Sequence, residues 1–64
     1  MNTELATTRG ARSIVETAEW TGLSEVYIRR AIKSGRLHAV RAGRRILVPE
    51  ESAQAFLRSL PKAS

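Results

Sequence analysis

The apolar residues of this chain change their spacing along its length, and each change marks an element. From Ile14 a helical period holds, with Ile14, Ala18 and Thr21 on one face at intervals of four and three. Ser13 followed three residues later by Glu16 is a capping box, which satisfies two of the free N–H groups that open a helix. Gly22 stops the helix, as a glycine just past a helix end does by adopting left-handed backbone. A helix of about two turns is not stable in isolation, so it must pack against something. A second helix starts at once. Leu23 sits in the turn, Ser24 is the N-cap, and Glu25 suits the positive end of the helix dipole. The run "EVYIRRAIKS" continues to Gly35, the next stop. At about 100° per residue, Ile28, Ala31 and Ile32 share one face. Val26, Arg29, Arg30 and Lys33 look the other way, and Tyr27 lies on the shoulder.

The period then drops toward two. Leu37, Ala39 and Val40 precede Gly43; Ile46, Leu47 and Val48 follow it, a run rich in β-branched residues. A short loop around "AGRR", with Gly43 supplying positive φ, predicts a β-hairpin. Alternation turns one side of each strand inward. Val40 and either Ile46 or Val48 are the expected inward pair, the register being open, and Arg41, Arg44 and Arg45 are left at or near the tip. Pro49 ends the strand and opens a third helix, with Glu50 and Glu51 in its first turn. Ala53, Phe56, Leu57 and Leu60 make its apolar stripe. The expected order is helix, turn, helix, hairpin, helix: a mainly α fold with a two-stranded β-hairpin. Its core is expected to comprise Ile14, Ala18, Leu23, Ile28, Ile32, Leu37, Val40, Ile46, Val48, Phe56, Leu57 and Leu60. Residues 1–12 are polar and read as a flexible arm, residues 13–60 as one domain, and residues 61–64 as a tail.

Charge adds a direction to this scaffold. The chain of 64 residues carries a net charge of +5, yet the charge is not spread evenly. Seven cations lie between Arg29 and Arg45, and no acid occurs from Val26 to Pro49. The four other cations and six acids sum to −2, so a basic middle sits between mildly acidic ends. A basic patch confined to one segment is the electrostatic footprint of a polyanion partner. Arg29, Arg30 and Lys33 repel one another at helical spacing, a cost that such a partner would relieve. Two short helices joined at a glycine form a helix-turn-helix candidate.

Other chemistry is thinly represented. There is no cysteine, and the lone His38 lacks the companions that a metal site or an acid–base pair requires. Glu50 and Glu51 are helix-start carboxylates without a third group beside them. Neither a cofactor nor a small-molecule ligand is expected, and an enzyme is the least favoured class. No apolar run approaches the ~18 residues that span a bilayer. The opening "MNTELATTRGARS" lacks the apolar stretch of a signal peptide, so a cytoplasmic location on DNA is the expectation. Trp20 falls outside the apolar stripe of its helix. It reads either as a ring lying over the third helix or as a contact with another protein.

The segment Ser13 to Leu57, "SIVETAEWTGLSEVYIRRAIKSGRLHAVRAGRRILVPEESAQAFL", resembles the excisionase-type helix-turn-helix family, a branch of the winged-helix proteins related to the MerR DNA-binding domain. The resemblance is carried by "AIKSGRLHAVRAGRR", by the exit "ILVPEESAQAFL", and by the series Gly22, Gly35, Gly43, Pro49. Two leucines common before the first glycine are replaced by Trp20 and Thr21, and Val26 and Tyr27 stand where small polar residues are frequent. The resemblance implies that the second helix enters the major groove and that the hairpin is a wing beside the adjacent minor groove. Onto matching positions it places Arg30, Tyr27 and Val26 at base edges, with arginine able to pair two-pronged with guanine. Arg29, Lys33 and Arg36 would meet phosphates, with Ser24 a further backbone contact, and Arg41, Arg44 and Arg45 would serve the wing. It further implies a recombination directionality factor that bends attachment-site DNA and assists a phage integrase. With one helix and one wing per chain, tight binding would require tandem sites and cooperative self-association. A small transcriptional regulator of a phage or mobile element is the alternative within DNA binding. A basic module that docks on an acidic protein is the alternative of another class.

Overall fold

The computed structural model describes residues 10–63. Of the arm read over residues 1–12, residues 1–9 lie outside them, as does residue 64 of the tail. The elements are β1 (Ala11–Arg12), α1 (Ile14–Thr21), α2 (Glu25–Lys33), β2 (Val40–Ala42), β3 (Arg45–Pro49) and α3 (Glu50–Ser59).

Helix ends fall where their chemistry directs. The capping box at α1 is complete: Ser13 Oγ accepts from Glu16 N at 3.0 Å, and Ser13 N donates to Glu16 Oε1 at 2.8 Å. Gly22, at φ 80°, closes α1 with its N–H on Ala18 O at 2.8 Å. At the end of α2 a Schellman motif forms. Gly35 takes φ 86° and donates to Ile32 O, while Arg36 N reaches back to Ala31 O at 2.9 Å. Pro49 is extended at φ −57°, ψ 148°, serving as the last residue of β3 and the N-cap of α3.

The sheet holds one more strand than the hairpin expected from the sequence. Its order is β1-β3-β2, with both pairs antiparallel. Ala11 faces Pro49 and Arg12 faces Val48, so two residues read as arm belong to the fold. Nothing in the chain near them signals a strand; they are ordered by a partner almost forty residues away. Glu50 N donates to Gly10 O at 2.9 Å and extends that pairing into the start of α3. Across the hairpin, Val40 pairs with Leu47, Arg41 with Ile46 and Ala42 with Arg45. The loop is the two residues Gly43–Arg44, with φ 64° at Gly43, as a type II′ turn requires at its first position.

Helices α1, α2 and α3 pack on one face of the sheet around Ile14, Ala18, Ile28, Ala31, Leu37, Val48, Ala53 and Phe56. Leu23, Ile32, Ile46 and Leu60 border this cluster. Two residues expected in the core are outside it. Val40 is 43% exposed because the register pairs it with Leu47 on the outer side of the sheet, while Ile46 and Val48 face the helices. Leu57 is 41% exposed because α3 is buried along the narrow line of Ala53 and Phe56, and Leu57 stands at its edge. Conversely, Thr17 is fully buried. Its hydroxyl donates to Ser13 O at 2.8 Å, so no unsatisfied group results.

Candidate nucleic-acid interface

The candidate site is built from α2, the wing formed by β2 and β3, and the first turn of α1. Burial of Ile28 and Ala31 fixes the roll of α2 about its axis. That roll leaves Val26, Arg29, Arg30 and Lys33 exposed, as the periodicity predicts. Among the described residues Val26 is the most open of the large apolar side chains at 57%. One turn on, Arg30 sits beside it at the helical interval of four. These two form a ridge on the exposed face of α2.

Arg29 and Lys33 turn toward the wing. Directly paired residues share a face, so Arg41, opposite Ile46, points to the helix side of the sheet. Together Arg29, Lys33 and Arg41 border a hollow of about 310 Å³ floored by Ile14, Ile32 and Ile46. A second hollow of about 270 Å³ adjoins it, where Arg29, Arg44 and Arg45 meet Ser13 and Val15 at the start of α1. The register, open in the sequence, thus assigns Arg41 to the inner side of the wing and Arg44 to the turn itself.

The other flank of α2 is organised differently. The Tyr27 ring, set with Val26 and Arg30 by the sequence reading, leans toward α3, its centroid 6.4 Å from that of Phe56 and tilted by 58°. Arg36 lies over it, with the guanidinium carbon 5.7 Å from the ring centroid, and its Nε donates to Ser34 Oγ at 3.1 Å. Ser24 is the N-cap of α2, its Oγ accepting from Tyr27 N at 3.1 Å. Tyr27 and Arg36 therefore lie on the flank of α2 that is turned toward α3.

The neighbour that the structure gives Trp20 is Arg12. Trp20 is 39% exposed, and the Arg12 guanidinium sits 4.2 Å over its ring. Arg12 also pairs with Glu50 Oε1, while Glu50 Oε2 accepts from Gln54 Nε2 at 2.7 Å. Trp20, Arg12 and Glu50 thereby tie α1, β1 and α3 together. Sequence reading missed this because each residue lies in a different element and their spacing is irregular. Among the described residues this is the one ion pair; the cations of α2 and the wing have no acidic partner. His38 is exposed in the loop before β2. Among the described residues no helix is long and apolar enough to cross a membrane.

A helix-turn-helix with a β-hairpin beside its second helix defines the winged helix-turn-helix class. Residues 13–61 match the family described as "Helix-turn-helix domain". The chain is 43% identical over 51 residues to a protein of Mycobacterium phage D29 named excisionase, a match spanning 78% of this chain and 91% of that protein. It is 40% identical over 48 residues to the uncharacterized protein YoeD of Bacillus subtilis strain 168, spanning 75% of this chain and 63% of that one. No solved structure matches it significantly. The chain belongs to the excisionase-type helix-turn-helix family, and it is a DNA-binding protein.

Proposed function

We propose that the protein is an excisionase: a sequence-specific, DNA-bending accessory factor that directs an integrase toward excisive recombination. The observation that carries this reading is the 43% identity with the phage excisionase across 91% of that protein's length. The gathering on α2 and the wing of cations that have no acidic partner among the described residues supports it, because DNA binding is driven largely by phosphate neutralisation. In this reading Val26 and Arg30, on the exposed ridge, face base edges in the major groove. Arginine there takes guanine O6 and N7 together, and the valine packs on a thymine methyl. Arg29 and Lys33 meet phosphates on the wing side, and Arg36 and Ser24 meet them on the other. Arg41, Arg44 and Arg45 bring the wing to the minor groove, where a narrow groove concentrates negative potential. The protein contributes binding and bending, and the integrase carries out the strand chemistry.

One helix and one wing give few contacts, so a single copy binds weakly and neighbouring copies on tandem sites bind tightly. Footprinting on attachment-site DNA of the source genome, with and without the integrase, tests this. The expected result is protection of adjacent direct repeats and a shift of the integrase toward excision products. A stable dimer that protects one palindrome at a promoter, with no effect on recombination, would instead identify a transcriptional regulator. Equal affinity for specific and scrambled duplexes at every salt concentration would identify a basic module with a protein partner.

A further inference from the structure

We infer that Ser34 and Tyr27 are positioning residues: together they hold the guanidinium of Arg36 ready for a phosphate on the flank of α2 away from the wing. Their roles rest on the reading of Arg36 as a phosphate contact. Gly35, at φ 86°, turns the chain at the end of α2, and Arg36 N bonds back to Ala31 O. The Arg36 side chain therefore runs back along the helix, from beyond its last residue, Lys33, to the ring of Tyr27 in its first turn. Two supports meet it there. One comes from the backbone of α2: Ser34 Oγ donates to Ala31 O at 3.1 Å, which leaves its lone pairs for Arg36 Nε, also at 3.1 Å. The other comes from the core: Phe56, 3% exposed, backs the Tyr27 ring, and that ring lies under the guanidinium.

Among the described residues, Arg36 is the one cation of the basic segment whose side chain is hydrogen-bonded to the protein. The restraint brings little stability, since Ser34 and Arg36 are both exposed and water competes for the bond. What it changes is binding. A free arginine loses rotamer freedom when it meets a ligand, and one already held loses less. With Nε engaged and the ring over one face, the two terminal nitrogens remain. They present the fork that takes two oxygens of a phosphate at once. Among the described residues no carboxylate is paired with Arg36. Its flank of α2 is the one turned toward α3, so the acceptor is a phosphate across the groove from the wing.

The test is a double-mutant cycle on a duplex carrying the preferred site, selected from a random-sequence pool, with binding followed by fluorescence anisotropy over a range of salt. Arg36→Ala is expected to weaken binding about tenfold at low salt and to lower the salt slope by about one ion. Ser34→Ala keeps every charge; it is expected to weaken binding about threefold and to leave the slope as it is. In the Arg36→Ala background the same Ser34→Ala change should have no further effect, because nothing is left for the hydroxyl to hold. Tyr27→Leu should follow the same pattern, with the fold of each variant checked by its urea midpoint. For either residue, no loss, or a loss equal with and without Arg36, would overturn its positioning role while leaving Arg36 a phosphate contact. No loss from Arg36→Ala would show the phosphate reading itself to be wrong, and the positioning with it. If the pool yields no preferred site, the reading of α2 in the groove fails first and takes Arg36 with it.

Discussion

Arg12 and Arg41 are both arginines on short antiparallel strands at opposite edges of one sheet, and the fold uses them in opposite ways. Arg12 is only 14% exposed, ion-paired to Glu50 and laid over Trp20. Arg41 is exposed and has other cations for neighbours: Arg29 and Lys33 across the hollow. At one edge the positive charge is consumed in holding β1, α1 and α3 together. At the other it is left uncompensated, which a small domain tolerates only because those side chains remain in water until a polyanion arrives. Charge count alone does not separate the two roles; the partner of each cation does.

The comparison is broken most severely by emptying the uncompensated edge. Arg29→Ala, Arg41→Ala and Arg44→Ala combined should lower DNA affinity by about a hundredfold or more and flatten its salt dependence by about two to three ions. The melting temperature should not fall, because repulsion among these groups is relieved. A marked loss of stability would show that they serve the fold as Arg12 does. Within the recognition face, Arg30→Ala should cost about 1–3 kcal/mol on a preferred site and relax preference at one base position, read by competition with single-base variants of the site. Arg44→Ala, by contrast, should weaken all sequences alike.

Arg12→Ala should do the converse. The pair with Glu50 and the contact with Trp20 are partly exposed, so together they contribute about 1–2 kcal/mol, visible as a lower unfolding midpoint in urea. Its effect on DNA binding at a temperature where the chain stays folded should be small, with an unchanged salt slope. A drop of one ion in that slope would move Arg12 into the binding face. The smallest effect is expected of Tyr27→Phe, which keeps the ring against Phe56 and beneath Arg36. Affinity and stability should both stay within about 0.5 kcal/mol of the parent. A loss confined to one base pair of the preferred site would instead return Tyr27 to base reading.

Much of this protein is local in origin, and the sequence by itself determined that part. Capping residues and glycines set the helix limits: Ser13 with Glu16, Ser24, Gly22 and Gly35 act within four residues of themselves, through hydrogen bonds that local geometry dictates. The exposed face of α2 followed from its period, because burying Ile28 leaves Arg29, Arg30 and Lys33 outside. Gly43 placed the hairpin turn, since a two-residue loop requires positive φ there. The family resemblance was also legible, as it rests on the order of these same signals.

Only the tertiary structure decided the rest, and in each case the determinant was distant in the chain. Hairpin register set Val40 outward and Arg41 inward, which two short apolar runs around a glycine leave ambiguous by one residue. Pairing with β3 recruited Ala11 and Arg12, whose own sequence has no strand signal. Trp20 found Arg12, and Arg12 found Glu50, through the meeting of three elements. The depression between α1, α2 and the wing exists only once those elements are packed. Val15, unremarked in the sequence, lines it beside Arg29 and Arg44: local forces fixed which residues face outward, and packing fixed what they face together.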